Sequence, residues 1–299
     1  MKTPTIKDFL YKNQLDEDYI KQADKHFSRA LKEIASHQKG AKGALVIGIN
    51  GCQGSGKSTL AQYLVAMLAE QYQLSAITVS LDDFYYSKLQ RAKLARSVHP
   101  LLTTRGVPGT HDLNLAVKTI TALKQQQPTR IPRFDKSADN PFPKPSWAIV
   151  SQAYDIIILE GWCVASPPQE SAMLSTPINA LEEEQDKDGQ HRQFVNQQLN
   201  QYQTLFKQID YLMMLKAPSF DAVFAWRLEQ EQKLAKQYEI EGLHIGRAVM
   251  SEQEVCNFIS FFERITTHSL EAVPAISDVV YALDSDRNIT QIDYKASNA

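Results

Sequence analysis

The chain has 299 residues, 43% of them hydrophobic and 22% charged, with a formal net charge of −2. This mix fits a folded chain with a sizeable core and excludes disordered, collagen-like and strongly polyanion-binding classes, so no nucleic-acid partner is expected. Cys52, Cys163 and Cys256 are too few and too widely spaced for a disulfide framework or a zinc site. With no run of eighteen apolar residues and no apolar signal core at the start, a cytoplasmic protein without a membrane partner is expected.

Residues 17–37 carry Ile20, Ala23, Phe27, Ala30, Leu31, Ile34 and Ala35 at helical spacing, which predicts an amphipathic leading helix broken by HQKGAKG. ALVIGIN is a continuous apolar run, the pattern of a strand covered on both faces. A helix over 57–72 follows, then a strand at SAITVSL and a helix at DLNLAVKTITALKQQ with Asp112 as its N-cap. RIPRF reads as a short strand and YDIIILEGW as the strongest buried strand. The stretch 181–191, LEEEQDKDGQH, is charged and poor in core residues, so a solvated loop is expected. FVNQQLNQYQTLFKQ is helical, IDYLMMLKA is a strand, 220–238 is a helix, and 251–268 is a helix opened by a capping box of Ser251 and Glu254. DVVYAL is a late strand. Strands and helices in alternation predict a mainly parallel sheet between helices. No repeat or linker divides the chain, so one domain with insertions is expected.

Gly51, Gly56, Lys57 and Ser58 satisfy G-x-x-x-x-G-K-[ST] between a buried strand and a helix. The glycines allow a tight loop whose N–H groups converge on an anion, and the helix adds its N-terminal dipole. The whole stretch Gly51, Cys52, Gln53, Gly54, Ser55, Gly56, Lys57, Ser58 and Thr59 is therefore expected to bind a nucleotide, with Lys57 on the β- and γ-phosphates and Ser58 on Mg²⁺. Cys52 occupies a variable position of the loop; it has no assigned chemistry but can confer sensitivity to thiol reagents. In an open parallel sheet, ligands gather beyond the carboxyl ends of the strands. Glu160 closes YDIIILE and is the expected second Mg²⁺ partner, through water; the plain alternative is a strand-end acid in solvent. Asp82 and Asp83 follow SAITVSL, and neighbours on an extended chain face opposite ways. Asp82 is favoured over Asp83 as the carboxylate that orients an attacking hydroxyl, the alternative being that both cap the next helix.

Together, GxxGSGKST, SLDDFY, PRFDKS and ILEGW resemble the P-loop small-molecule kinases that include uridine kinase, pantothenate kinase and phosphoribulokinase. HPLLTTRGVPGTHDL, PINALEEEQDKDGQHRQFVNQQL, FAWRLEQE and MSEQEVCNFISFFERIT look like the D-glycerate 3-kinase group, over roughly residues 43–283. The resemblance implies an α/β P-loop NTPase fold of the nucleoside-kinase type, with a five-stranded parallel core sheet flanked by helices. The leading helix lies ahead of the resembling stretch, so an N-terminal helical extension (1–42) on a kinase domain (43–299) is expected. The resemblance also implies a lid at about 220–250. It assigns the base to Asp82 and a lid arginine to Arg227, and puts Arg105, His111 and Lys136 in motifs lining the acceptor side, with Arg133 and Asp135 weaker candidates there. ATP and Mg²⁺ are the implied cofactors. The implied reaction phosphorylates a hydroxyl of a small anionic metabolite, D-glycerate first. Kinases of nucleosides or pantothenate-like alcohols, and a nucleotide-binding regulator with little turnover, are the alternatives. For Arg105 the plain alternative is a surface arginine tied to a neighbouring acid. His111 can bind substrate oxygen or brace its loop, Lys136 can neutralise acceptor or phosphate charge or stand in solvent, and Arg227 can pair with Glu231 at i+4.

Overall fold

A computed structural model describes residues 5–240 and 249–296. Two helices lead the chain, α1 (Ile6–Asn13) and α2 (Glu17–Gly40), each opened by a side-chain cap, Thr5 on Asp8 N–H and Asp16 on Tyr19 N–H. Helix α2 buries Ala23, Phe27, Ala30, Leu31, Ile34 and Ala35 of the stripe its spacing predicts, with Ile20 half-buried at its start. Strand β1 (Leu45–Gly51) is buried throughout and runs through the phosphate loop into α3 (Lys57–Tyr72). Then come β2 (Ala76–Ser80), a 3₁₀ turn (Leu81–Phe84), α4 (Lys88–Ser97) and α5 (Leu113–Lys124), the last capped by Asp112.

RIPRF does not form one strand. Pro132 separates β3 (Thr129–Ile131) from β4 (Phe134–Asp135); β4 pairs with β5 (Asn140–Pro141) as a small hairpin, and β3 with β6 (Ala148–Val150). The fully buried β7 (Ile156–Gly161) precedes α6 (Ala180–Gln185), α7 (Gln190–Phe206), β8 (Tyr211–Lys216), α8 (Phe220–Ile240), α9 (Glu252–Ala272), β9 (Val279–Leu283) and β10 (Ile289–Tyr294). Ser251 and Glu254 make the expected capping box on α9.

The main sheet runs β10-β9-β8-β1-β7-β2. Its five strands from β9 to β2 are parallel, as expected; β10 adds an antiparallel edge that the sequence reading did not include. Continuous hydrophobic runs suit β1, β7 and β8 because helices cover both their faces. The leading helices dock through rings: Phe9 and Phe27 lie against Tyr63 of α3, and Phe27 against Tyr281 of β9. Full burial of such a side chain stabilises by about 1.5–3 kcal/mol.

The stretch 181–191 is not a solvated loop. Asn179 caps α6, and Glu182 is buried against Arg264 of α9, Nη2 to Oε2 at 2.6 Å. Asp186 is fully buried and accepts from His191 N–H, Arg192 N–H and Arg192 Nη1. Burial of these acids depends on arginines supplied by α7 and α9.

Candidate active site

Glu160 organises the carboxyl edge of the sheet. On β7 it stands in register with Ile49 of β1 and Ser80 of β2, so the phosphate loop and the Asp82 turn emerge on either side of it. In the loop, Gly54 and Gly56 have φ of +80° and +89°, a conformation that penalises other residues. A Cβ on Gly54 would also lie 2.6 Å from Cβ of Trp226, where α8 presses on the loop, whereas a Cβ on Gly56 would meet open space. Among the described residues, the N–H groups of Gly54, Gly56, Lys57 and Ser58 have no backbone partner. They sit at the N-terminus of the sixteen-residue α3, which is the construction of an anion cradle.

Ser58 Oγ lies 3.4 Å from Glu160 Oε1, and Glu160 Oε2 is buried with no partner among the described residues. A hydroxyl and a carboxylate are hard oxygen donors, and an unsatisfied buried carboxylate oxygen is costly unless something binds it. These residues fit Mg²⁺. The alternative of a solvent-facing acid does not hold, since Glu160 is buried.

The two acids after β2 diverge, although they sit on a 3₁₀ turn rather than an extended chain or a helix cap. Asp82 accepts from Tyr85 OH at 2.9 Å and from Lys136 Nζ at 2.7 Å. Burial alone would raise its pKa, but the cations Lys136 and Lys57 outweigh that and hold it well below the ordinary carboxylate range. Asp83 points to the β4–β5 hairpin, accepting from Arg133 Nη1 at 2.7 Å and Phe134 N–H at 3.0 Å; burial raises its pKa, with Arg133 partly offsetting. Asp82 is thus the acid that shares its surroundings with Lys57.

His111 is buried, within electrostatic reach of Asp82. Its ring stacks on Tyr85 with centroids 4.3 Å apart, Nδ1 is 2.8 Å from Tyr202 OH, and Nε2 has no partner among the described residues. Burial pushes its pKa down to about 4 against the pull of Asp82, so the imidazole is neutral at pH 7. The segment around it is a buried loop: Gly109 N–H donates to Tyr202 OH, and Trp162 Nε1 donates to Gly106 O. Arg105 pairs with Asp139 at 2.5 Å and lies 5.6 Å from the Phe134 ring. Asp135 is turned away, capping Ser137 and Ala138.

The structure brings Lys57, Ser58, Asp82 and Glu160 together, with Lys136 and His111 beside them and Arg133 behind on Asp83. It does not bring Arg227 to them. That guanidinium is paired with Glu231 on α8 and lies over Phe258 of α9. Residues 241–248 of the expected lid lie outside the described residues. Cys52 is buried, and burial pushes its thiol up to about 12, so the expected sensitivity of this position to thiol reagents is corrected: it is protonated and covered.

Sequence reasoning missed four side chains. Tyr85 donates to Asp82 from three residues on, a spacing that a 3₁₀ turn makes legible. Arg91 and Asp139 flank Arg105 without a local signal. Arg287, at the β9–β10 turn, donates from Nε to Gly54 O at 2.9 Å, pairs with Glu229 of α8, and ties loop, helix and turn together from 233 residues away.

A strand–loop–helix anion cradle, a buried acid beside its hydroxyl and a second acid across the same sheet edge define a P-loop phosphotransferase. Within that class, the chain belongs to the phosphoribulokinase/uridine kinase family, whose profile matches residues 46–165, and it is an ATP-dependent small-molecule kinase. An uncharacterised kinase of Schizosaccharomyces pombe is 32% identical over 243 residues, 78% of this chain and 84% of that one. The chloroplastic D-glycerate 3-kinase of Arabidopsis thaliana is 31% identical over 228 residues, 72% of this chain but only 45% of the plant enzyme's length. A solved D-glycerate 3-kinase from Cryptococcus neoformans shares the fold, with a TM-score of 0.69, 23% identity and coverage of 89% and 96% of the two chains.

Proposed function

We propose that the protein transfers the terminal phosphoryl group of ATP to a hydroxyl of a small hydroxy acid, D-glycerate giving 3-phosphoglycerate. The loop amides and Lys57 hold the triphosphate. Ser58 and Glu160 hold Mg²⁺, which supplies charge neutralisation on the phosphate oxygens when bound. The acceptor oxygen forms a bond to the γ-phosphorus, the bond from that phosphorus to the bridging β–γ oxygen breaks, and the hydroxyl proton passes to Asp82. Asp82 is ionised at neutral pH and so is free of a proton of its own. Arg105, with Lys136, takes the acceptor's carboxylate, and neutral His111 offers Nε2 to its oxygens. Segment 220–250 acts as the lid on the 43–299 kinase domain, with residues 1–42 as its helical brace; closure breaks the Arg227–Glu231 pair and frees Arg227 to offset the transferring charge.

The observation that carries this reading is Asp82, ionised and held by Lys136 and Tyr85 at the sheet edge shared with Glu160. The acceptor rests on the cationic side chains Arg105 and Lys136 and on relatives that are D-glycerate 3-kinases. Incubation with Mg-ATP and a panel of D-glycerate, L-glycerate, glycerol, uridine and pantothenate, read by mass spectrometry, tests it. Formation of 3-phosphoglycerate from D-glycerate is expected. Turnover of uridine or pantothenate with none of either glycerate would reject it.

A further inference from the structure

Arg91 and Arg105 come from different segments and meet on one carboxylate. Arg91 is fully buried. It donates from Nε to Thr103 O (3.0 Å), from Nη1 to Tyr86 O (2.5 Å) and from Nη2 to Asp139 Oδ2 (2.5 Å). Arg105 donates from Nη1 to the other oxygen of Asp139, also at 2.5 Å. Asp139 sits between β4 and β5 with φ of +53°, a conformation that asparagine and aspartate tolerate better than most residues. Among the described residues, Nε and Nη2 of Arg105 have no hydrogen-bond partner. A guanidinium held at one nitrogen keeps a second edge for a planar, bidentate anion.

The charges are uneven. Lys136 is matched by Asp82 and Arg133 by Asp83, but Arg91 and Arg105 share the single Asp139. Four cations against three carboxylates leave one positive charge, and Arg91 is buried, so that charge is presented by Arg105. A buried cation cannot give up its counter-ion cheaply, which locks Asp139 to Arg91 and makes Asp139 a fixed post for Arg105.

We infer that Asp139 is a positioning residue that sets the acceptor class, holding Arg105 so that its free edge receives one carboxylate and hydroxy acids are selected over neutral alcohols. This rests on the reading above, in which Arg105 faces the acceptor. Asp139 acts through Arg105 and touches no reacting atom. An arginine released from its post still carries charge but loses its fixed direction, so the loss falls on acceptor binding rather than on the nucleotide.

Steady-state kinetics with D-glycerate and glycerol, which differ by a carboxylate against a hydroxymethyl group, test this. Asp139→Asn is expected to raise the KM for D-glycerate about tenfold or more, to leave the KM for ATP within twofold, and to shrink the preference for D-glycerate over glycerol by the same factor. Because Asp139→Asn strands a buried guanidinium, Arg91→Met/Asp139→Asn removes both charges and is expected to show the same split if the single variant does not fold. An unchanged KM for D-glycerate in the variants overturns the inference. So does a parallel rise in the KM for ATP, the mark of a merely structural role. If the unaltered protein phosphorylates only neutral alcohols, the reading above falls and this inference with it. Turnover of D-glycerate that the variants leave untouched defeats this inference alone.

Discussion

Two buried histidines make stability depend on pH well above the carboxylate range. His111 faces Tyr85, Tyr202 and Asp82; His191 faces Asp186, His99, Glu182 and Arg192. Burial lowers both from 6.5 to about 4, against the attraction of Asp82 and of Asp186. Between those values the unfolded chain binds protons that the folded chain refuses, so stability is full above about pH 6.5 and falls as pH drops. Each histidine is worth roughly 1–2 kcal/mol at pH 5.5 and about 3 kcal/mol once pH reaches 4. Together they remove about 3 kcal/mol between pH 7.5 and 5.5, a large part of the 5–15 kcal/mol typical of a folded domain. His268, also lowered by burial, acts in the same sense. Asp82 loses its contribution only at lower pH, because its folded pKa is depressed from 3.8. Urea unfolding followed by fluorescence of the three tryptophans at pH 7.5 and 5.5, at fixed ionic strength, reads the difference. His111→Gln and His191→Gln should each remove about half of it. A double variant that keeps the full pH dependence would refute the assignment to these two rings.

Ellman's reagent should titrate one thiol in the native protein, the exposed Cys256, and three after denaturation; two native thiols would contradict the burial of Cys52 and Cys163. Glu182→Gln, which breaks a buried pair with Arg264, should cost about 3–5 kcal/mol in chemical denaturation, and Glu182→Leu/Arg264→Met should recover most of it. Glu160→Gln should weaken the response to Mg²⁺ roughly 10–100-fold, measured as the Mg²⁺ concentration giving half-maximal phosphoryl transfer.

The elements legible in sequence are those whose signal is local. Strands β1, β7 and β8 announce themselves because both faces are covered, and Asp112 and Ser251 mark helix starts by caps three residues long. Edge strand β10 alternates weakly because half of it faces solvent, and α1 spans only eight residues. The misread 181–191 stretch failed for a different reason: the cation that buries Glu182 lies 82 residues away. In the site, the phosphate loop and strand-end acids were readable. The divergence of Asp82 and Asp83 was anticipated from an extended chain, but it arises on a 3₁₀ turn, where successive residues also point about 120° apart. Arg91 and Asp139 could not be seen, since 48 residues separate them and only the fold makes them a pair. For Arg227 the sequence offered both a finger and an i+4 pair, and the structure shows it paired with Glu231.

The most direct test is a comparison of Asp82→Asn with Asp83→Asn, in turnover of D-glycerate and in nucleotide binding followed separately. If Asp82 receives the acceptor's proton, its variant loses about 10²–10⁴-fold in kcat while ATP binding stays within a few-fold, and Asp83→Asn, altering only contacts with Arg133 and Phe134 at the β4–β5 hairpin, loses far less. Full turnover by Asp82→Asn, or an equal loss in both variants, would contradict that role.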